Sequence, residues 1–258
     1  MSVARLSRTT LLVLGITALS GCANAPWRMQ RLEDTGPTAT RADPWERFNR
    51  AMFAFNEVVD QTVVKPAALG YRAMVPEWLR AGIGNMFGNL GDAWSVVNLT
   101  LQGKPQAALE TGMRVTTNTL FGFAGFIDIA DEMGLERRSE DFGQTLGRWG
   151  MSSGPYLVLP LLGPSTVRDA AAMVVDSKAS PPQLAFGEVR DQNGARVLQL
   201  LDTRVRLLNA SRVLDDIALD KYVFLRDAYL ARRRSQIYDG SPPEDEEPGV
   251  VLYAPMPT

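Results

Sequence analysis

The chain opens with a short apolar run, continues through a polar stretch without periodicity, and then settles into apolar spacings of three and four. Arg5 and Arg8 precede the apolar segment Thr9 to Leu19. That segment is shorter than the roughly 20 residues a spanning helix needs and has the layout of an export signal. Residues 23–42 are polar and mixed, and read as a flexible tether. Asp43-Pro44-Trp45-Glu46 has the acceptor, proline and glutamate spacing of a capping box with Asp43 at the N-cap. Behind it Trp45, Phe48, Met52, Phe55 and Val59 recur at helical spacing, which predicts a helix whose aromatic stripe faces a core.

Further helices are predicted from Pro76-Glu77, with Leu79, Ile83, Met86 or Phe87 and Leu90 on one face, and from Pro105, with Leu109, Met113 and Leu120. Segments near 140–149, 165–177, 193–210 and 219–236 also have helical spacing, clearest in Val197, Leu200, Leu201, Val205 and Leu208. No run between turn signals alternates convincingly at period two, so the expected fold class is all-α.

Two regions do not suit an ordinary soluble helical protein. Between Ala81 and Ile127 the only charges are Asp92, Lys104, Glu110 and Arg114, in a stretch rich in Gly, Asn and apolar residues. Such helices are either deeply buried or lie in a bilayer, where small residues allow close backbone approach. Gly150 to Pro164 is charge-free and broken by prolines and glycines. It reads as an apolar irregular loop, since proline costs a hydrogen bond inside a helix or central strand. From Asp239 to Thr258 prolines and the acidic cluster Glu244-Asp245-Glu246-Glu247 read as a disordered tail. The resulting division is a signal over 1–21, a tether over 22–42, a helical domain over 43–238 and a tail over 239–258.

Composition narrows the chemistry. The chain has 258 residues, a formal net charge of −2, no histidine and one cysteine, Cys22. Near-neutral charge gives none of the positive field that nucleic acid requires. Absent histidine removes the Ser-His-Asp triad, the Cys-His dyad and imidazole-ligated zinc, and a lone cysteine cannot form an intrachain disulfide. No cofactor and no metal are expected. Leu19-Ser20-Gly21-Cys22 at the end of the signal is a lipobox-like ending, so Cys22 is the expected lipidation site. With three acyl chains at about 0.8 kcal/mol per buried methylene, such an anchor is effectively permanent. Ala23 follows rather than an aspartate that would resemble an inner-membrane retention signal, which directs the expectation to the outer membrane.

Other motifs carry less. Gly82-Ile83-Gly84-Asn85-Met86-Phe87-Gly88 differs by one residue from a dinucleotide fingerprint and lies in a helical pattern rather than after a strand. Glu140-Asp141 and Asp215-Asp216 could serve as paired carboxylates, but neighbours on a helix point to different faces, and capping or solvated surface is the better reading.

Several collinear segments together resemble the MlaA (VacJ) family of outer-membrane lipoproteins. They begin with Asp43-Pro44-Trp45-Glu46-Arg47-Phe48-Asn49-Arg50, Gly84-Asn85 with Gly88-Asn89-Leu90, Asn98 with Leu101-Gln102-Gly103, Asn118-Thr119 with Gly122, and Gly125-Phe126-Ile127-Asp128. They continue with Glu140 to Gly147, including Gly143 and Leu146, then Gly154-Pro155-Tyr156 to Pro160, Gly163-Pro164-Ser165, Arg168-Asp169, Arg204, Tyr222 and Arg226 to Tyr229. The resemblance implies an all-helical ring embedded in the membrane from its periplasmic side. An amphipathic central channel would remove phospholipids misplaced in the outer leaflet. It also implies a trimeric porin around the ring, a periplasmic lipid carrier resembling MlaC, and no hydrolytic activity. Pro44, Phe48, Asn49, Asn85, Gly88, Asn89, Gly143, Leu146, Gly147, Arg168 and Asp169 are then structural motif residues.

This expectation agrees with elementary energetics. Exposing two acyl chains of about 16 carbons to water costs more than ~20 kcal/mol, so a transfer protein must keep tails in hydrocarbon while offering the headgroup a polar path. The loop 150–164 is the candidate channel wall or gate, with Gly154, Pro155, Tyr156, Pro160 and Gly163 as its key residues; an ordinary buried loop is the competing reading. Two alternatives to a transporter remain: an envelope hydrolase using carboxylates or a Ser-Lys pair, and a scaffold or assembly lipoprotein associated with an outer-membrane barrel.

Overall fold

A computed structural model of the protein describes residues 42–243. Cys22, the signal segment, the tether up to residue 41 and the tail from residue 244 lie outside the described residues. Helix α1 (Glu46–Val59) passes through a π-helical turn (Asp60–Val64) into α2 (Lys65–Met74). Helices α3 (Glu77–Leu101) and α4 (Pro105–Leu120) form a hairpin, followed by the short α5 (Ile129–Glu132) and α6 (Phe142–Arg148). After strands β1 (Tyr156–Leu159) and β2 (Gly163–Thr166) come α7 (Val167–Lys178), α8 (Pro181–Ala185), α9 (Val189–Ile217) and α10 (Lys221–Ile237). The expected all-α class holds, apart from that one pair of strands. No helix among the described residues is long and apolar enough to cross a membrane.

Helix starts follow local chemistry, although not always as read from sequence. Asp128, Asp141, Thr166 and Asp220 cap α5, α6, α7 and α10 by accepting the backbone N–H three residues on. The capping box assigned to Asp43 does not form: α1 starts at Glu46 with Trp45 in the cap position and no side-chain cap bond. Asp43 is instead fully buried, because Asn49, Tyr222 and Arg226 converge on its carboxylate and outcompete a helix end that water can satisfy.

The predicted core stripes are also corrected. Trp45, Phe48 and Phe55 are about half exposed, whereas Asn49 is the buried residue of α1. On α4 the apolar Leu109, Met113 and Leu120 point outward and Ala108, Thr111, Arg114 and Asn118 point inward. Helix α3 follows suit, burying Asn89, Asp92, Ser95 and Asn98 alongside Phe87 and Leu99. Of the α9 stripe, Val205 and Leu208 are buried with Ala68 and Tyr71 of α2, while Val197 and Leu200 are exposed. Buried polar side chains outnumber buried apolar ones among the described residues. Soluble domains have the opposite arrangement; here much of the apolar surface faces out and hydrogen-bonded polar groups face in.

The second apolar cluster sits under the strands, where Tyr156, Val158 and Tyr222 pack with Met52, Phe53 and Tyr229. Tyr156 meets Tyr222 and Tyr229 edge to face at centroid distances of 6.2 and 6.1 Å.

Candidate functional site

The segment 150–164, expected to be irregular, is largely an ordered hairpin. Antiparallel strands pair Tyr156 with Thr166, Leu157 with Ser165, Val158 with Pro164 and Leu159 with Gly163. A two-stranded hairpin is marginal alone, and here helix α1 completes it. The buried Asn49 amide donates to the Tyr156 carbonyl at 3.0 Å, and its oxygen accepts from the Val158 N–H at 2.9 Å. Seven residues on, Asn56 donates to the Leu159 carbonyl at 2.9 Å and accepts from the Leu161 N–H at 2.7 Å. Two asparagines thus stand in for a third strand and satisfy the edge facing α1. Sequence reasoning missed the hairpin because prolines at 160 and 164 argue against a central strand; Pro160 lies in the turn and Pro164 in β2. At the tip, Leu161 (φ +64°) and Leu162 are about two-thirds exposed.

Behind the hairpin lies a buried ionic cluster. Arg233 of α10 donates to Asp141 at 2.6 and 2.9 Å and to Asp169 at 2.9 and 3.0 Å, a double fork. Arg168 adds contacts to Asp169 Oδ1 at 2.8 and 3.0 Å, and the Tyr229 hydroxyl donates to Asp169 Oδ2 at 2.9 Å. Burial pushes the Asp141 and Asp169 carboxyls up, but the hydrogen bonds and charge of Arg233 outweigh it and hold both below their ordinary value. Burial also pushes the Tyr156 hydroxyl up to about 12, so it stays neutral. The glycines of α6 have a specific purpose here. A Cβ on Gly143 would lie 2.6 Å from Asp169 Oδ1 and 2.7 Å from Arg233 Nη2, and one on Gly147 2.8 Å from Arg168 Nη1.

A second cluster joins the α3–α4 hairpin to the following loops. Fully buried Arg114 grips Asp128 at 2.8 and 2.9 Å, and Arg137 bridges Asp92 at 3.2 Å and Asp128 at 3.1 Å. Asn118 donates to Asp128 at 2.8 Å and accepts from the Ala130 N–H at 2.9 Å. Asn89 donates to Thr119 at 2.9 Å and Asn85 to the Phe126 carbonyl at 3.3 Å. Glu140, read as a capping or surface acid, is buried and accepts from Gln102 at 2.9 Å.

Two cavities flank the hairpin and share Pro164 as a wall. One, of about 340 Å³, opens beside the Arg233 cluster and is lined by Trp94, Ser165, Met173, Asp176 and Tyr229. The other, of about 260 Å³, lies between the π-turn, β1, α9 and α10. Of the candidate gate residues, Tyr156 and Gly163 line this second cavity, while Gly154, Pro155 and Pro160 line neither. Among the motif residues, Asn49, Asn85, Asn89, Arg168 and Asp169 hold polar networks. Gly88 and Gly143 are points of close approach, Leu146 is half-buried, and Pro44 and Phe48 are exposed.

A family model described as MlaA lipoprotein matches residues 41–236. The chain belongs to the MlaA lipoprotein family. The intermembrane phospholipid transport system lipoprotein MlaA of Escherichia coli (strain K12) is 36% identical over 229 residues, 87% of this chain and 86% of that protein. The protein of that name from Haemophilus influenzae (strain ATCC 51907 / DSM 11121 / KW20 / Rd) is 34% identical over 242 residues, 91% of this chain and 92% of its own. A chain in the solved structure "Structural basis for maintenance of bacterial outer membrane lipid asymmetry" superposes with a TM-score of 0.67 at 35% identity, covering 76% of this chain and all of its own. In the structure most of the motif residues sit at polar joints: Asn49 against the hairpin, Asn85, Asn89, Arg168 and Asp169 in side-chain networks, and Gly88, Gly143 and Gly147 where arginine or carboxylate groups come close.

Sequence reasoning assigned no role to Arg233, Arg114 or Asn56 and quoted Asp128 and Tyr222 only within the family resemblance; the inward polar face of α3, in contrast, was legible. Gly82, Asn85, Asn89, Asp92, Ser95 and Asn98 recur at spacings of three and four along α3, continued by Gln102 at its C-cap, a small and polar stripe that is the inward face of an inverted amphipathic helix.

Proposed function

We propose that this protein is the outer-membrane lipoprotein of an intermembrane phospholipid transport system, maintaining lipid asymmetry by removing mislocalised phospholipid from the outer leaflet. In this reading Cys22 carries the anchor, and the ring-like helical domain sits in the membrane from the periplasmic side. Lipid headgroups pass along a polar path beside the hairpin to a periplasmic carrier resembling MlaC, with a trimeric porin as neighbour. The observation that carries it is the inverted polarity: exposed Phe48, Phe55, Leu109, Met113 and Leu120 suit hydrocarbon, while buried Asn49, Asp92, Arg114 and Arg233 are paired in the interior. The names of the curated relatives point the same way.

In the transport reading the arginine-forked carboxylates are structural joints. Asp141, Asp169 and Asp128 are held charged by arginine forks, whereas an acid/base catalyst needs a carboxyl that can exchange its proton near the working pH. The hairpin is the proposed gate, with Gly154 and Pro155 before β1, Pro160 at the turn, and Tyr156 and Gly163 against the cavity.

The test compares cells with and without the gene, quantifying outer-leaflet phospholipid with an enzyme that acts only on surface-exposed lipid. Surface phospholipid rises on deletion and falls with the wild-type protein but not with Cys22→Ala. Unchanged surface phospholipid on deletion replaces this reading with a scaffold associated with an outer-membrane barrel.

A further inference from the structure

The cavity beside the π-turn differs from its neighbour in the layout of its charges. Asp60, on the π-turn, is held by Arg204 of α9 at 2.7 Å through both oxygens, so that pair is neutral. Lys221 bridges Glu57 at 3.2 Å and Asp215 at 2.6 Å, leaving that end of the wall one negative charge in excess. Lys65 lines the same cavity and forms no ion pair among the described residues. The wall is therefore neutral in sum: Lys221 is shared by Glu57 and Asp215, Asp215 also feels the charge of Lys65, and Lys65 itself is the lining cation that no carboxylate holds among the described residues. The lining also includes the apolar Phe53, Val158, Leu214 and Leu225. π-Turns recur at functional sites, and this one places Asp60 and Gln61 on the cavity wall, with Lys65 following at the start of α2.

We propose that this cavity seats the headgroup of a zwitterionic glycerophospholipid, its phosphodiester against the Lys65 ammonium and its amine against the Glu57 and Asp215 carboxylates. Resting on the transport reading, this names the chemical class of lipid that the path selects. At about 260 Å³ the space is below the ~300–1,000 Å³ that encloses a drug-sized ligand, so it holds a headgroup and leaves acyl chains outside. Free orthophosphate and a phosphoglycerol headgroup satisfy Lys65 but bring no cation to the Lys221 end. There, excess negative charge repels a second anion.

Only Lys65, Lys104, Lys178 and Lys221 can acquire an acetyl label on a side-chain amine. The detergent-purified full chain is treated with a water-soluble acetylating ester in the presence of dihexanoylphosphatidylcholine, dihexanoylphosphatidylglycerol or inorganic phosphate, and each lysine is followed by mass spectrometry. Phosphatidylcholine slows Lys65 labelling by roughly tenfold, the factor that a 1.4 kcal/mol contact carries, and leaves Lys178 unchanged. No protection, or equal protection by inorganic phosphate or phosphatidylglycerol, overturns the proposal in favour of an empty cavity or a generic anion site. In cells, Lys65→Glu raises surface phospholipid and Lys65→Arg does not, with both variants melting as the wild type does. If Lys65→Glu clears surface lipid normally, the headgroup site falls and the transport reading stands; if the wild type itself does not clear it, the transport reading falls.

Discussion

Replacing Arg233 by Met keeps most of the side-chain volume and removes the fork that joins α10 to α6 and α7. Arg233 is 8% exposed, and its guanidinium makes four contacts of 2.6 to 3.0 Å to Asp141 and Asp169. Breaking a buried pair from one side costs about 3–5 kcal/mol, because the remaining charge stays buried. The lower end applies here, since the Asp141 side chain is 37% exposed and Asp169 keeps Arg168. A loss of about 3 kcal/mol lowers Tm by about 6–12 °C in a domain of this size, read by circular dichroism at 222 nm in detergent. The pH dependence follows from the sign of the shifts. Both carboxyls lie below their ordinary value in the folded protein, so their contribution is present above the unfolded carboxylate pKa of about 4 and is lost as pH falls through the folded value. The gap between wild type and variant therefore narrows in acid. A fall in Tm below about 2 °C at neutral pH, or a gap that stays constant into acid, refutes the assignment of this cluster as a joint.

Gly125→Ala is expected to destabilise by more than about 1 kcal/mol, because φ is +89° and the new Cβ would lie 2.6 Å from Asn89 Cβ; Gly103→Ala, at φ +73° in open space, melts closer to wild type in the same experiment. Asp202 is buried, and burial raises its carboxyl above the ordinary value despite Arg206, so folded-state stability rises as pH falls from neutral through that raised value towards about 4. Asp202→Asn raises neutral-pH Tm and flattens that rise, measured as Tm against pH. Leu161→Asp with Leu162→Asp at the exposed hairpin tip leaves Tm unchanged and raises surface phospholipid to the level of the deletion; normal lipid clearance by this variant excludes an apolar tip contact from transport.

Local rules made much of the architecture legible in the chain. Proline at 76 and 105, the aspartate before Phe142 and the period of α9 and α10 mark helices because capping and fixed φ act within one turn. The lipobox-like ending at Cys22 and the absence of histidine narrow the chemistry without any structure. The charge-poor stretch from Ala81 to Ile127 announces an unusual environment for the same reason: its composition is incompatible with a fully solvated surface.

Which side of each helix faces inward depended on tertiary structure. Reading apolar stripes as core assumes water outside, and that assumption placed Trp45, Phe48, Leu109 and Met113 on the wrong face. The hairpin was hidden because its pairing is completed by side-chain amides from Asn49 and Asn56, more than a hundred residues away in sequence. Arg233 is the middle of the run Arg232-Arg233-Arg234, and nothing along the chain singles it out; its role appears when α10 packs against α6 and brings Asp141 and Asp169 within hydrogen-bond reach. The sequence by itself determined where some helices begin, as at Pro76 and Pro105, and that histidine chemistry is absent, since these depend on residue identity and on neighbours along the chain. Only the tertiary structure decided the direction of each face, the partner of each buried charge and the gathering of Lys65, Glu57, Asp215 and Lys221 around one cavity, since electrostatic pairing in a low-dielectric interior depends on distance in space.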